Sequence, residues 1–293
     1  MSNFHKSVLL TEVFEGLRVK RNEKYIDATL GGGGHSFEIL RLGGIVLGID
    51  VDEDAIAYIE EMKPESLIAA RGNFRDIDKI AHLNNFDKVA GIIFDLGVSG
   101  HQIDTPARGF SFQRKGPLDM RMDKSLGVRA LDLIKILTKG ELNEIFTEFG
   151  EETRAWAISN AIVRARSVKP IETTEELAQI IEEGLRRKSL DKGNARADQS
   201  KKVFQALRIV VNDELNALSQ ALPKALGLLE KDGRLCVISF HSLEDRIVKK
   251  KFLEFEKNKM GKIITEKPVV PTAKEIEENV RSRSAKLRIF EKN

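Results

Sequence analysis

An acid stands directly before a run of glycines in Asp27-Ala28-Thr29-Leu30-Gly31-Gly32-Gly33-Gly34-His35-Ser36. The apolar pair Tyr25-Ile26 precedes this stretch, and a helix-like run from Phe37 to Leu42 follows it. Glycines at a strand-to-helix turn let a ligand approach the backbone closely, where free N–H groups face it. A pyrophosphate would be repelled by Asp27, which argues against a nicotinamide dehydrogenase. A cationic or amino-bearing ligand suits the turn better, such as the amino acid end of S-adenosylmethionine. The next buried run, Ile45-Val46-Leu47-Gly48-Ile49-Asp50, also ends in an acid, 23 residues after Asp27. That is close to the roughly 20-residue spacing of a ribose-binding acid. In a purely structural reading the glycines form a flexible turn and Asp50 caps a helix. The position of both features at strand ends favours the ligand reading.

Further chemistry-bearing segments follow the same rule. Ile92-Ile93-Phe94-Asp95-Leu96-Gly97-Val98-Ser99 reads as a fourth strand and its exit loop. Ligands of open parallel sheets bind beyond the C-terminal strand ends, near the switch point, so Asp95 is a candidate at the reactive end of the cofactor. Phe74, after the third strand, is a candidate to pack on an adenine ring. Gln102, Arg108, Phe110, Phe112 and Arg121 fall within about twenty positions, a density that suits a flipped base, with rings for stacking and Arg for phosphate. Packing into a core is the competing role for both Phe residues. His241, after the fifth strand, is a candidate to orient substrate or move a proton. No G-x-S-x-G nucleophile elbow is present, and the five histidines, His5, His35, His82, His101 and His241, show no zinc-type pairing.

These residues need a scaffold. Strand-like runs occur at Tyr25–Ala28, Ile45–Asp50, Leu67–Ala70, Gly91–Leu96 and Leu235–Ser239, and helical runs separate the first four. That alternation predicts a doubly wound α/β domain with a parallel sheet. The long gap before the fifth strand reads as helical. One helix is expected within Glu141–Arg166, and a second starts at the Thr173/Glu176 capping box. A third carries Val203, Leu207, Val210, Val211, Leu215, Leu218 and Leu222. Pro223 and the Lys231-Asp232-Gly233 turn are expected to lead into the fifth strand. The expected organisation is a nucleotide-binding domain of residues 1–108 and 203–293 with an inserted helical substrate-recognition domain of residues 109–202. Ser189–Ser200 reads as a mobile loop.

Bulk properties narrow the class. A hydrophobic content of 41% and charged content of 32% indicate a globular protein with a full core. No apolar run reaches the roughly 18 residues that span a membrane, and no signal peptide is expected. Cys236 is the only cysteine, which excludes an internal disulfide and a cysteine-based zinc site and fits a reducing cytoplasm. Net charge is only +3, yet Arg246–Asn293 carries an excess of seven positive charges and Arg186–Lys202 an excess of five. Such segments suit a phosphate backbone, with solvated lysine faces as the alternative.

Taken together, the segments resemble the bacterial ribosomal RNA small-subunit methyltransferase H family. The matching motifs are HKSVLLTE from His5, DATLGGGGHS, GIDVD, FDLGVS, RGFSF, GPLDMRMD, the FGEE of Phe149–Glu152, FQALRIVVNDEL from Phe204, VISFHSLEDRIVK from Val237 and RSRSAKLR from Arg281. Motifs as long as GPLDMRMD and SFHSLEDRIVK are far more specific than a glycine loop. The resemblance implies a Rossmann-like class I S-adenosylmethionine-dependent methyltransferase fold. It implies N4-methylation of a P-site cytosine in 16S rRNA of an assembled or nearly assembled small subunit. The composition and the scattered histidines add the expectation of a cytoplasmic protein with no membrane partner and no metal; a homodimer is left open. By motif position, the implied cofactor contacts are Gly33, Gly34, His35, Asp50, Phe74, Asp95 and Gln102. Two departures stand out. Gly100-His101 replaces the family's Ser-Pro after GVS, and Asp198-Gln199-Ser200-Lys201-Lys202 replaces its His-Pro-Ala-Thr-Arg before FQALR. The alternatives are a DNA or protein amino methyltransferase and a non-catalytic RNA-binding assembly factor. The absence of an Asp/Asn/Ser-Pro-Pro-Tyr/Phe motif after the fourth strand weighs against a DNA enzyme, and the acids Asp27, Asp50 and Asp95 weigh against a non-catalytic factor.

Overall fold

The computed structural model describes residues 7–186 and 194–293. The chain forms two compact units, Met1–Ser99 with Leu215–Asn293, and Gly100–Glu214. The first unit holds a seven-stranded sheet of β1 (Lys24–Asp27), β2 (Ile45–Asp50), β3 (Leu67–Arg71), β4 (Val89–Asp95), β5 (Leu229–Ser239), β6 (Gly261–Ile263) and β7 (Lys286–Lys292). Their order is β3-β2-β1-β4-β5-β7-β6. The first five pair in parallel, whereas β7 runs antiparallel to both β5 and β6. This is a doubly wound, Rossmann-like sheet extended by an antiparallel strand, and its switch point lies between β1 and β4.

Alternation along the strands explains the two covered faces. Ile26, Leu47, Ile92, Phe94, Leu235 and Val237 enter one apolar cluster, while Tyr25, Val46, Ile93, Cys236 and Ile238 enter the other. Helices α1 (Leu10–Leu17), α2 (Gly34–Arg41), α3 (Glu53–Met62) and α4 (Ile77–Leu83) belong to this unit. The second unit is helical, with α5 (Gly100–Asp104), α6 (Ala130–Ile136), α7 (Lys139–Glu148), α8 (Ala155–Arg166), α9 (Thr174–Arg186) and α10 (Asn194–Asn212). Its own core gathers Leu118, Leu142, Phe146, Ile158, Leu177 and Leu207. The chain then returns to the first unit through α11 (Glu214–Leu228), α12 (Ser242–Lys257) and α13 (Ala273–Glu278). No helix among the described residues is long and apolar enough to cross a membrane.

Several elements depart from expectation. The second unit runs from Gly100 to Glu214 rather than from 109 to 202, because Val203, Phe204, Leu207 and Val211 pack into its core. The single helix expected in Glu141–Arg166 is two helices, α7 and α8. Between them Glu151 takes a φ of 47°, and a Cβ on Gly150 would lie 2.7 Å from the Phe146 carbonyl oxygen. The third expected helix is broken at Asp213, whose φ of 52° no continuing helix accommodates. Pro223 lies inside α11, not beyond it. Packing of Leu218, Ala221, Leu222, Ala225 and Leu226 against the sheet outweighs the lost backbone bond. The Lys231-Asp232-Gly233 turn falls within the span of β5, where pairing jumps from Val89↔Leu229 to Gly91↔Arg234. Of the loop expected at Ser189–Ser200, the part from Asn194 onward is helix α10, and residues 189–193 lie outside the described residues. The Thr173/Glu176 capping box is formed as read: the Thr173 hydroxyl accepts from Glu176 N at 3.2 Å, and Glu176 Oε2 accepts from Thr173 N at 3.1 Å.

Candidate active site

Parallel pairing puts the C-terminal ends of β2, β1 and β4 side by side, so Asp50, Asp27 and Asp95 share one edge of the sheet. Their environments separate their roles. Asp27 is 1% exposed and both of its oxygens are engaged, one by Thr29 N at 3.2 Å and the other by Ser36 Oγ at 2.7 Å. At 1% exposed it is closed off from a ligand's amino group, the partner that its position before the glycines suggests. It ties β1 to the first turn of α2. Burial raises its pKa, opposed by His35 and by the bonds from Ser36 and Thr29.

Asp50 is half-buried and holds the glycine turn from the other side. Its Oδ2 accepts from Gly31 N at 2.7 Å and its Oδ1 from Asp52 N at 2.9 Å. Burial pushes its carboxyl up to about 6, against the lowering effect of these two N–H groups. Each carboxylate oxygen has two lone-pair sites, so both retain acceptor capacity for a ribose hydroxyl.

Asp95 sits where β4 ends. Its backbone N–H donates to Thr29 Oγ1 at 2.6 Å, which fixes the β4 exit against the β1 exit. Its Oδ2 lies 3.3 Å from His35 Nε2. His35 is 4% exposed, and its ring lies 6.3 Å from that of Phe14. Burial opposes a charged His35 ring, but the Asp95 and Asp27 carboxylates outweigh it and raise the pKa. Among the described residues, Asp95 Oδ1 and both His35 ring nitrogens are buried without an aligned hydrogen-bond partner. Buried polar atoms left in this state are rare and mark a place where a further polar group belongs.

The glycine turn is built for close approach. Gly33 has a φ of 77° and precedes α2 as its N-terminal cap. A Cβ there would come within 2.8 Å of Ile59 Cδ1 and of Phe37 Cε2, and one on Gly34 would run into Ser7 Oγ. With Asp50 at one end and the unsatisfied Asp95/His35 atoms at the other, the turn fits the ribose and amino acid portions of S-adenosylmethionine. Phe74 follows β3 and packs edge-on against Phe94, with ring centroids 5.6 Å apart.

The structure places other candidates in supporting positions. His241 caps α12: its Nδ1 accepts from Glu244 N at 3.4 Å, and its Nε2 lies 3.1 Å from Glu244 Oε1. Glu244 Oε2 in turn accepts from Phe240 N at 2.8 Å. Both ring nitrogens thus face the helix's own first turn. In the second unit, Gln102 is buried on α5. Arg108 is buried as well, donating to the carbonyls of Arg121 at 3.1 Å and Met122 at 2.9 Å. Arg121 grips Asp119 through Nε and Nη2, at 2.7 and 2.8 Å, and donates to the carbonyls of Lys124 and Leu126. These two guanidinium groups shape the GPLDMRMD loop. Phe112 packs on Phe204 at 5.6 Å and Phe110 lies beside Arg108 at 5.9 Å, both against the helical core. No cluster of metal-ligating side chains occurs among the described residues. Thr29 and Ser36 escaped the sequence reading. Their hydroxyls lie within the acid–glycine motif itself, two residues after Asp27 and one after His35, and that proximity was the available signal.

The MraW methylase family model matches residues 2–293. Curated relatives are similar over nearly the whole chain. Ribosomal RNA small subunit methyltransferase H of Halothermothrix orenii is 44% identical over 98% of this chain and 98% of its own. The proteins of that name from Clostridium botulinum (strain Loch Maree) and Carboxydothermus hydrogenoformans are also 44% identical, over 98% of this chain and 98% and 97% of theirs.

Proposed function

The chain belongs to the MraW methylase family of S-adenosylmethionine-dependent methyltransferases, and from that premise we propose that it methylates N4 of a P-site cytosine in 16S rRNA, on the assembled or nearly assembled small subunit in the cytoplasm. The names of its relatives support the ribosomal substrate. The observation that carries the chemistry is Asp95 at the switch point, with one buried oxygen lacking a partner beside the glycine turn.

When bound, the cofactor supplies a sulfonium-activated methyl group. The protein's share is positioning and charge. A cytosine amino nitrogen is a weak nucleophile because its lone pair is delocalised into the ring, so holding it in near-attack geometry is worth up to about 7–11 kcal/mol. The Asp95 carboxylate, or the Leu96 carbonyl, stabilises the positive charge that grows on the amino group, and the proton it sheds passes to the Asp95 carboxylate. His35 Nε2, 3.3 Å from Asp95 Oδ2, steadies the charge of that carboxylate. Asp50 takes the ribose, and Gly33 and Gly34 allow the approach. The helical unit is proposed to contact RNA, with Phe110 and Phe112 as its stacking candidates. Buried Cys236, whose thiol is pushed up to about 12, is unsuited to a covalent intermediate.

The test is transfer of labelled methyl from S-adenosylmethionine to small subunits lacking the modification, with nucleoside mass spectrometry and site mapping. N4-methylcytidine at the P-site cytosine is the expected product. Cofactor binding without label on subunits would favour another amino acceptor or a non-catalytic assembly role. Asp95→Ala is expected to abolish methylation; normal methylation with normal cofactor affinity would remove Asp95 from the mechanism.

A further inference from the structure

Helix α12 carries a cationic stripe that the proposed chemistry does not use. Its buried side, with Val248, Phe252 and Phe255, packs on the sheet. Residues Arg246, Lys250, Leu253 and Lys257 are all exposed and follow one another at four-, three- and four-residue steps. At 3.6 residues per turn they line up on one side of the helix over about 16 Å. Lys249 is exposed beside them. The acids of this helix that flank the stripe are engaged by the protein itself. Glu254 pairs with Lys251 at 2.9 Å, and Glu256 accepts from Ile263 N at 2.9 Å. Among the described residues, Lys249, Lys250 and Lys257 have no ion pair. Glu254 stands four residues after Lys250 and three before Lys257, yet it bonds Lys251, so neither of those two exposed lysines is held in a direct pair.

The position of the stripe matters as much as its charge. Strand β5 pairs in parallel with β4, with Ile238 beside Asp95, so α12 begins at the same edge as the three acids. Arg246 lies one turn into the helix and the stripe leads away from that edge. We propose that this face of α12 is a phosphate track for the ribosomal RNA backbone flanking the target nucleotide. The inference rests on the reading of the substrate given above. A membrane surface is disfavoured, because the apolar side of α12 is spent on the sheet and Leu253 is the one exposed apolar residue in the line. Contacts of this kind add affinity without sequence preference and appear as a salt dependence.

Direct binding of the full-length protein to small ribosomal subunits, measured by filter retention across a salt series, tests the track without relying on turnover. Lys250→Gln combined with Lys257→Gln is expected to lower the slope of log affinity against log salt by about 1.4–1.8. Lys250→Glu with Lys257→Glu is expected to weaken subunit binding at least tenfold at about 0.1 M salt, with melting temperature and S-adenosylmethionine affinity unchanged. The matched control is Lys63→Glu with Lys88→Glu, exposed residues at the opposite, N-terminal edge of the sheet. An unchanged slope, or an equal loss in the control, overturns the track. Failure of methyl transfer by a wild-type protein that binds subunits would overturn the proposed reaction and leave the slope to judge the track. Absence of wild-type binding to subunits would overturn both.

Discussion

Replacing Asp50 by asparagine separates the two things that this carboxylate does. In the free protein its carboxyl is pushed up to about 6 from an ordinary 3.8. A raised carboxyl means the ionised form is disfavoured in the fold. The penalty is absent below about pH 4, grows between pH 4 and 6, and levels above pH 6 at about 3 kcal/mol. Stability contributed by this group therefore falls as pH rises through that window. The Asp50→Asn substitution would remove the penalty, but an amide has one acceptor oxygen where the carboxylate uses two, for Gly31 N and Asp52 N. One of those N–H groups would be left unpaired, costing about 1–3 kcal/mol. The two effects nearly offset at pH 7, so the melting temperature there should barely move. At pH 4, where only the lost bond counts, Asp50→Asn should melt below wild type. Cofactor binding should respond differently. Ribose hydroxyls donate to the ionised acid, and hydrogen bonds to a charged group are worth about 1.5–3 kcal/mol, so the substitution should weaken S-adenosylmethionine binding roughly 10- to 150-fold at pH 7. Wild-type affinity should rise about tenfold from pH 5 to 7, level off above pH 7, and show neither trend in the variant. Titration calorimetry from pH 5 to 8, with thermal melts from pH 4, measures all of this. Equal affinity and an equal pH profile in the two proteins would refute Asp50 as the ribose acid.

Other perturbations have equally definite outcomes. Gly33→Ala forces a side chain into a φ of 77° and places its Cβ 2.8 Å from Ile59 and Phe37. Strain and overpacking together should destabilise by about 2–5 kcal/mol and abolish tight cofactor binding; a melting point within about 1 °C of wild type would show that the turn is loose. Glu291→Gln attacks a buried ion pair, since Glu291 Oε2 accepts from Arg234 at 2.7 and 2.9 Å and Oε1 faces Lys262 at 2.8 Å. The loss should be about 3–5 kcal/mol in urea denaturation, and an unchanged midpoint would mean that water enters to replace the acid. Native protein treated with iodoacetamide should keep its activity, because Cys236 is buried and its thiol is held up to about 12. Rapid stoichiometric inactivation would contradict that.

What the sequence made legible is whatever short-range spacing encodes. Strands β1, β2 and β4 announce themselves by apolar runs that end in an acid, and the glycine turn by its four glycines. Strand β7 was hidden because its ladder contains charges whose partners are remote in the chain. Arg288 is neutralised by Asp245 at 2.6 Å, and Glu291 by Arg234, 57 positions earlier. From composition alone these residues look like a solvated basic tail. The same blindness made phosphate hands of Arg108 and Arg121, which are spent on backbone carbonyls and on Asp119. It also made a ligand contact of Asp27. Three acids at three strand ends give one sequence signal, and their burial and donors divide them. Asp27 is 1% exposed, held by Thr29 and Ser36, and braces the turn. Asp50 is braced by two N–H groups yet retains lone pairs, which is what a binding acid needs. Of the three, only Asp95 keeps a buried oxygen with no partner among the described residues, a condition that is unfavourable in the free protein and that a substrate amino group would relieve. The role proposed for Asp95 therefore rests on what the fold leaves unsatisfied, a quantity no spacing rule contains.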